Sequence, residues 1–193
     1  MNLTTVRKYF LFIIVLFTVS FSQAQRDSST KDFTYTIQPL LGFETVYRSA
    51  PRPHTVTQTM YGLRLTGGID LLSGEIEYTQ STGSEIFQTA PEKIVSTDEK
   101  LKIGARSLFR LSDIFNMTVR FGGQVKKTKE ETTNIGVVTT EQKPIEYSPY
   151  LGAAFGMHIG KMNVSVGTTV VINDMNNMEK NEIQNTVAIG FGI

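Results

Sequence analysis

The side chains best equipped for chemistry in this chain are ionic, and they stand at even spacing among apolar neighbours. Glu44, Arg64, Glu75, Glu77, Lys102, Arg106, Arg120 and Glu146 each occupy the polar phase of a segment whose alternate positions are apolar. Period-two alternation belongs to a β-strand with two unlike faces, so these eight side chains would share one face. Charges drawn together away from water must pair or be solvated, since an isolated one costs several kcal/mol. Such a set can form a gated, charge-lined pore or ligand site, or it can form a plug of salt bridges. The expected neighbours are Glu75 and Glu77 with Arg106, Arg120 beside them, and Glu44 opposite Arg64 if the first hairpin centres near Pro53 and His54.

Nucleophilic and metal chemistry find little support. The chain has no Cys, which excludes disulfides, thiolate metal sites and acylation of an N-terminal cysteine. Its two histidines, His54 and His158, each lack a second ligand at metal spacing. His54 has Ser49 and Glu44 within reach in principle, but no motif joins them. Gly67-Gly68 and Gly122-Gly123 fall inside strand-like segments, where glycine marks a bend or a close backbone approach more often than a phosphate loop. No catalytic, cofactor-binding or metal-ligating residue is assigned, and no cofactor is implied.

Eight segments must position the charges. The first runs from Phe33 to Tyr47, with Tyr35, Ile37, Leu41 and Phe43 in one phase and Thr34, Gln38, Gly42 and Glu44 in the other. The others centre on Tyr61–Ile69, Ile76–Tyr78, Leu101–Phe109, Met117–Val125, Ile145–Met157, Val164–Ile172 and Ile183–Ile193. Connectors alternate between long and short. Leu71–Gly74, Ser112–Asn116 and Gly160–Asn163 are tight. Ser49–His54, Ser81–Thr97, Lys127–Lys143 and Asn173–Asn181 are longer, and they are the natural interaction surfaces.

The N-terminus has the form of a secretory leader. Arg7 and Lys8 precede the apolar run Tyr9–Phe21, and Ser22-Gln23-Ala24 supplies small residues before a cleavage between Ala24 and Gln25. The run spans only about 20 Å as a helix, short of a bilayer core of about 30 Å. The domain plan is therefore a cleaved signal peptide at 1–24, a short periplasmic segment at 25–32 and one β-domain at 33–193. Removing Arg7 and Lys8 takes the formal charge from +1 to −1, so there is no basic excess to hold nucleic acid.

Alternation alone does not choose the solvent, because a soluble sandwich alternates too. Segments of about ten residues exceed the usual five or six of a soluble strand. Aromatics also fall at two levels: Phe33, Tyr35, Phe109, Phe115, Phe155 and Phe191 toward the tight turns, and Phe43, Tyr47, Tyr61, Tyr78 and Tyr147 toward the long connectors. Two such belts suit the two interfaces of a bilayer. The expected fold is all-β: an eight-stranded antiparallel up-and-down transmembrane β-barrel with its short turns in the periplasm.

Over essentially the whole mature sequence the chain resembles the small eight-stranded outer-membrane barrels of the OmpA, OmpX and OmpW type. The most specific local piece is Thr186-Val187-Ala188-Ile189-Gly190-Phe191-Gly192-Ile193, which looks like a last-strand signal for barrel insertion. In that family the final residue is usually aromatic; here it is Ile193, with Phe191 two places before. The resemblance implies residence in the outer membrane of a Gram-negative cell envelope, contact with its lipid and lipopolysaccharide, and passage through the export and barrel-assembly machinery. It also implies a non-enzymatic, porin-like architecture whose narrow lumen favours the plug. The alternatives are a channel for small solutes or hydrophobic compounds and, further off, a lipid A-modifying enzyme.

Overall fold

The computed structural model describes residues 34–48, 53–87, 92–134, 137–160 and 162–192. The leader, its cleavage site at Ala24 and Gln25, and Phe33 lie outside the described residues.

The strands are β1 (Thr34–Arg48), β2 (His54–Ile69), β3 (Leu72–Phe87), β4 (Glu92–Arg110), β5 (Phe115–Asn134), β6 (Val137–Gln142), β7 (Glu146–Ile159), β8 (Met162–Val171) and β9 (Glu182–Gly192). Every pairing is antiparallel. The ring runs β1-β2-β3-β4-β5-β7-β8-β9 and closes through β1 on β9. Eight strands therefore make the barrel. β6 is the upper part of the β7 ribbon. Gln142 opposes Lys129 and Glu146 opposes Lys126, so Lys143-Pro144-Ile145 face only two residues of β5. A proline donates no ladder hydrogen bond, and the extra residue makes a bulge there.

Two of the expected long connectors, Ser81–Thr97 and Lys127–Lys143, prove to be mostly strand. β3 continues to Phe87, β4 starts at Glu92, and β5 runs on to Asn134. Above the membrane the outward positions turn polar, at Gln80, Glu99, Lys127 and Lys129, while the ladder hydrogen bonds continue. The segment between β8 and β9 is a true loop. Asn181 Oδ1 accepts the backbone N–H groups of Asn173 (3.0 Å) and Asp174 (3.1 Å), and a short 3-10 turn follows at Met178–Lys180.

Each ring strand turns large apolar side chains outward. Leu41, Leu63, Ile76, Ile103, Phe121, Leu151, Val166 and Val187, one from each, are 43–66% exposed. An apolar girdle of that extent is intolerable in water and is what a lipid-facing surface requires. Tyr35, Phe115, Phe155 and Phe191 stand exposed at one end of it, and Phe43, Tyr61, Tyr78 and Tyr147 at the other. Phe115 and Phe155 stack at 5.5 Å between ring centroids. The apolar core is reduced to a small cluster of Leu40, Met60 and Ala188 on the inner face. Almost everything else buried is polar.

Candidate functional site: the barrel lumen

Closing eight strands leaves an interior only wide enough for side chains. Charged residues at less than a tenth exposure number five of each sign among the described residues. The acids are Glu44, Glu75, Glu77, Asp98 and Glu182, and the bases are Arg64, Lys100, Lys102, Arg106 and Arg120. The wall behind them is asymmetric. β2 to β5 carry most of the long ionic side chains, while β7, β8 and β9 face them with Gly152, Gly167, Thr169, Thr186, Ala188 and Gly190. Small residues on one wall make room for long ones from the other.

The lower cluster is built around Glu77. Its carboxylate takes Lys102 Nζ at 2.5 Å, Arg64 at 2.7 Å and Arg120 at 2.8 Å. Arg120 also reaches Glu75 at 2.9 Å, and the Tyr150 hydroxyl donates to the same Glu75 oxygen. The Arg120 guanidinium lies 5.3 Å from the Tyr150 ring centroid, a cation–π distance. Tyr150 reaches Glu75 through a notch. Gly104 and Gly122 are directly paired on β4 and β5, and a Cβ on Gly104 would sit 2.3 Å from the Tyr150 hydroxyl and 2.2 Å from the Phe121 carbonyl oxygen. No other residue fits that close approach.

The upper cluster is built around two lysines. Lys100 bonds Glu44 and lies 3.3 Å from Glu182; Lys126 bonds Glu182 at 2.5 Å and Glu146 at 2.7 Å. Ser81 donates to Glu44. Gln184 joins the two clusters: its carbonyl accepts from Lys102 at 2.5 Å, and its amide donates to Glu44 at 3.2 Å and Gln124 at 3.3 Å. One connected polar network thus crosses the lumen from Arg64 to Lys126.

At the mouth, Arg48 leans in from β1. It bonds Glu130 on β5 and Ser96 on β4, with Glu85 on β3 at 4.0 Å. His54 lies 3.1 Å from Glu85, and Lys143 bonds Glu130 at 2.5 Å. Under Arg48, Gln58 is satisfied when its amide nitrogen faces Asp98 (3.2 Å) and its oxygen faces Arg48 (2.9 Å).

The eight residues singled out from sequence divide into three groups. Arg64, Glu75, Glu77, Lys102 and Arg120 meet in the lower cluster, and Glu44 is in the upper one. One expected pairing, Glu44 with Arg64, is corrected. Glu44 stands opposite Gln58, and Arg64 opposite Gln38, because the first hairpin centres on position 51. Arg106 faces the lumen, but neither Glu75 nor Glu77 bonds it, and its Nε has no hydrogen-bond partner. Glu146 sits at the rim, its side chain 54% exposed. Sequence reasoning missed Lys100, Lys126, Glu182 and Gln184 as network members and left Tyr150 as an unassigned polar-phase residue. His158 is exposed at the opposite end, and Ser49, the suggested companion of His54, lies outside the described residues. Among the described residues no three of His, Asp or Glu are grouped to hold a metal ion.

No protein-family model matches this sequence, and no curated protein does. Solved structures do match. Ail, the attachment invasion locus protein of Yersinia pestis, superposes with a TM-score of 0.51 at 9% identity, covering 83% of this chain and 96% of that one. This is the fold of the small outer-membrane β-barrels. Neisserial surface protein A gives 0.51 at 11% identity, with 83% and 99% covered. A major outer membrane protein from Thermus thermophilus gives 0.52 at 8% identity, with 84% and 100% covered. Ail has also been crystallised with the heparin analogue sucrose octasulfate. The shared fold and the lipid-facing girdle make this chain a transmembrane β-barrel, the architecture of outer-membrane proteins.

Proposed function

We propose that this protein is a non-enzymatic outer-membrane scaffold or surface-interaction protein whose lumen is plugged by its own charge pairs. The observation that carries the reading is the unbroken network from Arg64 to Lys126, with Glu77 held by three cations at once. Ions buried in a narrow interior resist removal, because separating one partner strands the other at a cost of about 3–5 kcal/mol. The working surface is then the three extended hairpins and the Asn-rich loop outside. Outer-membrane lipid and lipopolysaccharide are the expected partners of the girdle. The export and barrel-assembly machinery would act during biogenesis, with β9 as the strand presented for insertion.

Sulfated polysaccharide is a poor fit. The exposed charges above the girdle are mixed, with Lys93, Lys127, Lys129 and Lys180 set among Glu99, Glu131, Glu141 and Glu179. Such a surface lacks the basic excess that a polyanion needs. Single-channel recording in planar bilayers tests the plug. The barrel should show no stable open state, and sustained unitary conductance would overturn the reading in favour of a channel.

A further inference from the structure

We propose that the extracellular half of the lumen binds one alkali-metal cation on the carboxylate of Asp98. Asp98 is 2% exposed, yet no cationic side chain among the described residues pairs with it. Gln58 accounts for Oδ2, and Oδ1 has no hydrogen-bond partner. A buried carboxylate in that state is costly unless something positive meets it. A second buried group stands unpartnered on the adjacent strand β3. The Thr79 hydroxyl is wholly buried and unbonded, two residues before Ser81, which directly opposes Asp98 on β3. Thr128 opposes Asp98 on β5, and Ser81 donates its proton to Glu44, leaving its oxygen lone pairs available.

The ion pairs of this half point the same way. Glu44 and Glu182 take Lys100, Glu182 and Glu146 take Lys126, Glu130 takes Arg48 and Lys143, and Glu85 has His54 at 3.1 Å. Asp98 is the acid left without a cationic partner among the described residues. Carboxylate and hydroxyl oxygens select hard cations. The fixed positive charges of Arg48 above and Lys100 below penalise a divalent ion, so a single charge suits the site. The cation would enter by the cleft at the mouth that Arg48, Gln58, Glu85 and Ser96 line, whose Gln58 amide faces Asp98 at 3.2 Å.

The inference uses the plugged lumen but not its impermeability, so conductance and cation binding fail separately. The test is the temperature at which the refolded full chain loses its compact migration on a detergent gel. It is measured in NaCl or KCl and in N-methylglucamine chloride at equal ionic strength. Replacing the alkali cation should lower the transition by roughly 3 °C, the size expected for losing a weak ligand of the folded state. Asp98→Asn should abolish the difference. If that variant fails to refold, Thr79→Val keeps every charge and should cut the dependence about twofold. Equal transitions in the two salts, or a difference that survives both substitutions, would overturn the proposal. So would stabilisation by acid alone, which would place a proton on Asp98 instead.

Discussion

The two halves of the lumen solve one electrostatic problem in opposite ways. Below, the acid is shared among bases: Glu77 alone holds Lys102, Arg64 and Arg120. Above, the base is shared among acids: Lys100 serves Glu44 and Glu182, and Lys126 serves Glu182 and Glu146. The buried charges balance over the whole interior because two surplus bases below, four against Glu75 and Glu77, offset two surplus acids above, three against Lys100. Asp98 and Arg106, one from each surplus, lie eight residues apart on β4, about 26 Å at strand rise, and cannot meet. Neutrality of the interior as a whole therefore hides a polarity along its axis. The residue whose loss is worst differs between the halves: an acid below and a base above.

Substitutions can break that comparison in order of size. Glu77→Gln should be the most damaging, leaving three cations facing one another and costing about 3–5 kcal/mol in urea unfolding of the refolded barrel. A loss under about 1 kcal/mol would mean water already screens the lower cluster. Lys100→Met should cost less, about 2–3 kcal/mol, since Glu182 keeps Lys126 while Glu44 keeps Ser81 and Gln184. If the lysine proves the worse loss, the assignment of the critical residues is inverted. Gly104→Ala should cost about 1–3 kcal/mol by driving a methyl into the Phe121 carbonyl and the Tyr150 hydroxyl. Tyr150→Phe, which removes only the bond to Glu75, should cost about 1 kcal/mol.

The smallest effect lies outside the lumen. The Asn176 backbone N–H and the Lys180 side chain hold the Asp174 carboxyl below the ordinary aspartate range. A depressed carboxyl contributes order that is present above its unfolded value and is lost as pH falls through its folded one. Hydrogen exchange at Asn176 and Asn177 should therefore stay slow at neutral pH and accelerate only in acid below the usual aspartate range. Acceleration at higher pH would contradict that ordering.

Most of the barrel was legible because lipid on one side and ions on the other leave a strict period of two. Leu151 against Gly152, or Ile76 against Glu77, needs no other information to be assigned a face. The strand ends were not legible by that signal. Lys100 and Lys126 sit one residue beyond Leu101 and Val125, and Glu182 one before Ile183, where the outward residues stop being apolar although the ladder continues. An apolar criterion stops at the edge of the lipid, while pairing does not. The first hairpin's centre was likewise hidden, because Thr55, Thr57 and Thr59 face outward on β2 without an apolar signature. Shifting that centre from near 54 to 51 exchanged the partners of Glu44 and Arg64.

The inside-out orientation is open to one direct measurement. Because the chain lacks cysteine, single-cysteine variants from Val164 to Thr168 on β8 can each carry one spin label without ambiguity. Oxygen, which dissolves in lipid, should relax labels at positions 164 and 166 far more than a water-soluble nickel chelate does, with little of either reaching 165 and 167. Labels at 164 and 166 relaxed by nickel while those at 165 and 167 respond to oxygen would turn the barrel inside out and refute the account.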